Sequence, residues 1–180
     1  MDLLQAIRER RSVRKFKPVS IPHEVIEEIV EDTSYAPSWK HTQIARYVLI
    51  EDRKIIDEIA EKMVLDFKLN EKTLKNCPAI MLVTYITSRS GFERDGTYST
   101  PKGDGFEMFD AGIAAQTFCL SAHQRGIGTV ITGYFNEIEI CKLLEIPNNQ
   151  KIGCLICMGY ADETPIIPKR KPVSELLSYK

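Results

Sequence analysis

The apolar positions along the chain fall into alternating helical and strand-like stretches. Leu3, Leu4 and Ile7 share one face of a short helix that Asp2 can cap, with Gln5 in the capping-box position. The basic run Arg8 to Lys17 ends it. Ser20-Ile21-Pro22 opens a second helix, in which Val25, Ile26, Ile29 and Val30 recur at helical spacing until Ala36-Pro37 stops it. Tyr47 to Ile50 reads as a short strand, and Asp52 to Lys75 as one broken helix or two short ones. Ala79 to Ile86 is apolar apart from Thr84, which predicts a central strand covered on both faces. Phe106 to Arg125 predicts a core helix closed by Gly126. After it come a strand over Thr129 to Thr132, a helix over Glu137 to Leu144 and a strand over Ile152 to Met158. Pro165, Pro168 and Pro172 hold the tail extended, and Ser174 to Leu177 can add a final turn. Between the central strand and the core helix, Thr87 to Gly105 is rich in Ser, Thr and Gly and has no apolar period. That composition predicts a mobile access loop, with Phe92 and Tyr98 as its only aromatics before the helix. Helices and strands interleave around one sheet, so the class is α/β or α+β.

At 180 residues the chain is expected to form one domain over 1–180, large enough to need no disulfide or metal staple. The net charge of −1 argues against general nucleic-acid binding, which needs a net basic face. No stretch reaches the ~18 apolar residues of a membrane span. In the first eleven residues the charges follow the apolar residues, the reverse of a secretory leader, so a cytoplasmic location is expected. Five cysteines, an odd number, fit reduced thiols. Cys154 and Cys157 have CxxC spacing, but on a strand they point to opposite faces, which disfavours a redox or zinc pair. His23, His41 and His123 are too scattered for a metal site.

Most familiar chemical motifs fail. Gly91 to Gly96 has the glycine spacing of a P-loop, but Thr97 stands where the phosphate-binding lysine belongs. Gly126-Ile-Gly128 follows a helix and lacks the third glycine of a dinucleotide fingerprint. Three features remain. Arg10-Arg11-Ser12-Val13-Arg14 joins the first helix to an extended segment. Alternation there places Arg10, Ser12 and Arg14 on one side and Arg11 on the other, and guanidinium forks with a hydroxyl suit a phosphate monoester. A solvated basic helix end is the plainer reading. Lys169-Arg170-Lys171 is a second basic cluster; alone it is a charged tail, but it forms one anion pocket with the first if the two ends meet. Ala36 to Gln43 is a turn dense in hydrogen-bonding groups that carries the one tryptophan, Trp39.

Taken together, RRSVRKF after a short helix, the PSWKHTQ turn, GIGTVITGYF after the long helix and the KRKP tail resemble the nitroreductase family of FMN-dependent oxidoreductases. The resemblance covers nearly the whole chain and is closest to the short members. It implies an α+β fold with a central mixed or antiparallel sheet flanked by helices, and an intertwined homodimer with two FMN sites at its interface. It places Arg10, Arg11, Ser12 and Arg14 at the FMN phosphate and ribityl chain. Pro37, Ser38, Trp39, Lys40, His41 and Gln43 match the turn that approaches the flavin across the dimer interface. Ile131, Thr132 and Gly133 match the segment whose backbone faces the ring edge, and Lys169 and Arg170 match the tail cations near the phosphate. The sequence departs from the pattern at His41, where members often carry Asn, and at Ile44-Ala45.

The implied activity is hydride transfer from NADH or NADPH, by way of FMN, to a nitroaromatic, quinone or similar electrophile. The cofactor carries this chemistry, so no catalytic side chain or metal is required. Arg14 or Lys40 is expected to stabilise negative charge on the reduced ring, and the Gly133 amide to bond its other edge. A flavin-binding carrier or sensor without turnover, or a basic-pocket domain for another phosphate ligand, are the competing readings. On the core helix Ala111, Gly112, Ala114 and Ala115 are small enough to let another helix approach closely, which fits a dimer.

Overall fold

The structure is a computed structural model and describes residues 2–180. The N-terminal helix α1 (Leu3–Glu9) starts as expected: the Asp2 carboxylate accepts the Gln5 backbone N–H at 2.8 Å. Only half of the capping box forms, because the Gln5 side chain turns forward to Glu9 at 3.0 Å. Pro22 then opens α2 (His23–Ser34), which buries Ile26, Ile29 and Thr33. Strand β1 (Ala45–Ile50) is followed by two helices, α3 (Arg53–Lys62) and α4 (Lys68–Asn76). Strand β2 (Ala79–Ile86) leads through the 87–104 segment to the longest helix, α5 (Gly105–Gln124). Gly126, at φ +77°, supplies the left-handed residue that ends it. The remaining elements are β3 (Ile127–Thr132), α6 (Glu137–Leu143), β4 (Gln150–Tyr160) and the short α7 (Val173–Leu176).

The four strands form one antiparallel sheet in the order β1-β2-β4-β3. β2 is therefore central, as its apolar run predicts. Its alternate residues feed two cores. Ile80 and Leu82 pack with Ile56, Ile59, Leu74 and Ile140 under α3, α4 and α6. Met81 and Val83 pack with Ile26, Ile29 and Phe118 under α2 and α5. Each such side chain contributes about 1.5–3 kcal/mol by leaving water. Cys154 and Cys157 lie in opposite cores, both buried, as strand geometry requires.

Two expectations about packing change. Ala111, Ala114 and Ala115 are buried in the chain's own core, where Ala111 lies 3.2 Å from the place a Cβ on Gly153 would take. Of that small-residue group only Gly112 opens outward, and the exposed apolar residues of α5 are Met108 and Phe109. The 87–104 segment is also more than a bare loop. Phe92 pairs with Tyr98 in a β-bridge, Glu93 N–H and O close a turn to Thr97 and Gly96, and Ser90 is fully buried.

Candidate functional site

Residues 10–17 run as an extra strip along the sheet. Val13 N–H donates to Thr129 O at 3.0 Å, Ser12 bridges Thr129, and Phe16 bridges Ala161. Val13 and Phe16 are the buried anchors of this strip, so the residues between them face out. Glu163, just beyond β4, accepts the backbone N–H groups of Arg14 at 2.6 Å and Lys15 at 3.2 Å. The Asn76 side-chain oxygen, at the end of α4, accepts from Phe16 N–H at 2.7 Å. The strip is thereby held against both the sheet and α4.

The strip divides its arginines between two hollows. Arg11 faces a cleft of about 400 Å³ shared with His123, Gly126, Gly128, Thr164 and Pro165. One Arg11 nitrogen donates to the Arg10 carbonyl at 2.6 Å, while its buried Nε has no partner. Burial, helped by the positive charges of Arg10 and Arg11, pushes the His123 pKa down. Arg14 instead faces a groove of about 740 Å³ with Lys15, Lys68, Lys72, Lys75 and Asn76, where the only carboxylates are Glu71 and Glu163. Lys68 and Lys75 pair with Glu71 at 2.8 and 3.1 Å. Among the described residues Arg14, Lys15 and Lys72 make no side-chain ion pair, so the groove keeps a positive field. The lysines of α4 were missed in the sequence because they read as the solvated face of an amphipathic helix. The bond from Phe16 N–H to Asn76 ties their helix to the strip that carries Arg14.

The turn after α2 has an unusual backbone. Lys40, His41 and Gln43 all have left-handed φ values, of 45°, 57° and 48°. For residues with a Cβ each costs on the order of 1–2 kcal/mol. Compensation comes from several bonds. Gln43 N–H donates to Ser38 Oγ at 3.0 Å, and Arg46 donates to the carbonyls of Gln43 and Ala45 at 2.8 and 2.7 Å. Trp39 N–H donates to the buried Asp110 carboxylate at 3.0 Å. The Trp39 ring packs on Phe106 with centroids 4.2 Å apart, and Phe106 in turn meets Phe109 edge-on. Lys40 pairs with Glu93 at 3.0 Å, tying the turn to the hairpin of the 87–104 segment. His41 and Gln43 side chains hydrogen-bond each other at 2.9 Å on the exposed side.

At the end of β3, Ile131 is exposed and Thr132 is fixed by a bond from its hydroxyl to Leu155 O at 3.2 Å. Gly133 follows, with nothing within 4 Å of the place its Cβ would occupy. Asn70 of α4 donates to the Tyr134 carbonyl at 3.3 Å, so the same helix that lines the basic groove also holds this segment. The tail remains apart. No hydrogen bond or ion pair among the described residues links Lys169 or Arg170 to the Arg10–Arg14 strip, and the tail cation with a partner is Lys171, 3.5 Å from Glu175. Among the described residues no helix is long and apolar enough to cross a membrane.

Known proteins are similar to this chain in sequence and in fold. A Methanothermobacter thermautotrophicus protein assigned as an NADH dehydrogenase or NAD(P)H nitroreductase is 28% identical over 92% of the chain and 80% of its own length. A nitroreductase family protein from Streptococcus pneumoniae has the same fold at TM-score 0.86 and 20% identity, covering 99% of this chain and all of that one. A protein from Exiguobacterium sibiricum, assigned as a nitroreductase and solved in complex with FMN, superposes at TM-score 0.83 and 18% identity over 100% of this chain and 98% of its own. The model of the nitroreductase family matches residues 7–160, from α1 through the end of β4, and the chain belongs to that family.

Proposed function

We propose that the chain is a single FMN-binding domain over 1–180 and an FMN-dependent oxidoreductase. It passes a hydride from NADH or NADPH, by way of the flavin, to a nitroaromatic, quinone or related electrophile in a ping-pong cycle. The observation that carries this reading is the basic groove in which Arg14, Lys15 and Lys72 lack ion-pair partners, beside the arginine strip of a family member. Its volume of about 740 Å³ lies within the range of ordinary cofactor pockets. The unpartnered Arg11 Nε and the open approach to Gly133 also fit a bound anion and a flat ring.

When bound, FMN supplies the redox chemistry, and the protein supplies binding, orientation and electrostatics. Arg10, Arg11 and Ser12, joined by Lys169 and Arg170, hold the phosphate and ribityl chain. Arg14 and Lys72, which line one groove, would set positive charge beside the ring. Arg14 is preferred to Lys40 for this role, because Lys40 is engaged by Glu93. Ile131, Thr132 and Gly133 offer backbone to the other ring edge. Pro37, Ser38, Trp39, Lys40, His41 and Gln43 approach from the second subunit of a homodimer. Leu3, Leu4, Met108, Phe109, Ile166 and Ile167 are all at least half exposed and supply apolar surface for that partner. Five free thiols fit a reducing compartment, and we place the protein in the cytoplasm.

The test is anaerobic titration of the purified holoprotein with NADH and NADPH, followed by a panel of acceptors. Flavin absorbance that bleaches with either nucleotide and returns with a quinone or nitroaromatic is the expected result. A colourless protein that takes up no FMN overturns the reading. Bound flavin that neither nucleotide reduces leaves a carrier or sensor instead.

A further inference from the structure

We propose that Asp110 is a positioning residue that fastens the Ser38–Gln43 turn and the 87–104 segment to the start of α5, so that the two walls of the acceptor site are set by one carboxylate. The proposal rests on the flavin enzyme reading only for its kinetic consequence. The geometry stands by itself. Asp110 is 4% exposed on the first turns of α5, and among the described residues it makes no ion pair. A buried carboxylate without a cation must be held by donated hydrogen bonds. One oxygen, Oδ2, receives two. Trp39 N–H donates to it from the turn at 3.0 Å, and the hydroxyl of Ser90 donates to it from the 87–104 segment. Ser90 is itself fully buried, and its oxygen lies 2.7 Å from the Thr42 hydroxyl at the far end of the same turn. With Ser90 donating to Asp110, Thr42 donates to Ser90. The chain Thr42–Ser90–Asp110–Trp39 therefore closes a ring of contacts around the turn.

This ring spans the part of the backbone with three left-handed residues. A strained turn persists only when its surroundings over-determine it. Arg46 holds the carbonyls of Gln43 and Ala45, and Asp110 is the acceptor of the Trp39 N–H at the start of the turn. The second tie between the two segments, Lys40 to Glu93, is roughly half exposed at both ends and is screened by water. Loss of Asp110 frees the turn and the segment together; loss of Glu93 does not.

Trp39 is the only tryptophan, so its fluorescence reports on the turn without any flavin present. The experiment compares Asp110→Leu, Asp110→Asn and Ser90→Ala with the parent protein. It measures acrylamide quenching of Trp39 in flavin-stripped protein, FMN affinity, and acceptor KM and kcat in the holoprotein. Asp110→Leu keeps the size but accepts nothing, and it is expected to raise the quenching constant at least about twofold and the acceptor KM about tenfold, as for a lost buried hydrogen bond. Asp110→Asn can place its oxygen at the Oδ2 position and accept both bonds, so it is expected to stay within about threefold of the parent in both. FMN affinity is expected to fall by less than the acceptor KM rises, because the turn approaches the flavin while Arg10 and Ser12, proposed to hold the phosphate, lie elsewhere. Parent-like quenching in Asp110→Leu overturns the proposal, and so does an Asn variant as disturbed as the Leu variant. Should Asp110→Leu not fold, Ser90→Ala decides, since it removes one link of the chain and leaves Asp110 in place; unchanged quenching there overturns the proposal equally. If the parent takes up no FMN, the flavin reading falls, while the quenching result still judges Asp110.

Discussion

Val13 lies on Gly128 with no space between them: a Cβ on Gly128 would sit 2.9 Å from Val13 Cγ2 and 3.0 Å from Val13 Cβ. The contact presses the Arg10–Arg14 strip onto β3 and fixes which arginines face outward. It also gives a reason for a glycine that carries no dinucleotide fingerprint. Gly128→Ala is expected to lower stability by about 1–3 kcal/mol, as other overpacked contacts do, and to weaken FMN retention as the strip lifts. Urea unfolding and flavin titration measure the two effects. A variant with the parent's midpoint and full flavin would mean that the strip has slack.

Arg10→Ala is expected to cost roughly 2–3 kcal/mol of FMN affinity, the value of a charge-assisted contact to phosphate. Lys62→Ala, which breaks a surface pair with Glu58 at 3.0 Å on α3, serves as the control and should change nothing. Fluorescence titration with FMN checks both. Equal affinity in the parent and Arg10→Ala removes Arg10 from the phosphate site.

Removal of the tail before Pro165 is expected to yield monomer or aggregate and to release flavin. In the single chain Ile166 is 92% exposed and Ile167 71%, so their burial depends on something outside it. Sedimentation and flavin content of the truncated protein test this. A stable dimer that keeps FMN at micromolar concentration would free the tail of both roles.

Replacing the hairpin tip Arg94-Asp95-Gly96 by a shorter turn is expected to change the relative rates with quinones and nitroaromatics while FMN affinity holds. The tip is the place to cut, because Ser90 at the base is buried and bonded to Asp110. Access segments are drawn from the weakly held parts of a fold. Identical acceptor profiles in the two proteins would make the hairpin a spectator.

The His23–Glu51 pair joins the start of α2 to the end of β1 at 2.7 Å. The hydrogen bond that His23 donates to the Glu51 carboxylate, aided by the charge of Glu51, raises the His23 pKa above 6.5. A raised folded value gives a stabilisation that is complete below the unfolded pKa and fades as pH rises through the folded one. Asp32 has the opposite sign: bonds from Ser121 and Arg125 lower its pKa, so its contribution is present above the unfolded value and fades in acid. Thermal melts between about pH 6 and pH 8 should therefore fall less steeply in His23→Gln than in the parent. Parallel curves would show that the pair contributes nothing.

The elements were legible because their signals are local. The apolar run of β2, interrupted only by Thr84, the Pro22 entry to α2, the Asp2 cap and the Gly126 stop each specify their own stretch of backbone. Strand alternation alone separated Cys154 from Cys157. The arginine strip and the tryptophan turn were also visible, since their residue types are concentrated within a few positions. Tertiary structure decided what depends on distant partners. The placing of Lys72 beside Arg14 needs α4 to dock on the strip through Asn76. Alternation already set Arg11 opposite Arg14, but which hollow each one faces needs Val13 to find Gly128. The role of Asp110 needs Ser90 and Trp39, twenty and seventy-one residues away, to meet one oxygen. A helical pattern records which face is apolar, but a buried carboxylate gains its partners only when separate segments close around it, and no spacing along the chain encodes that closure.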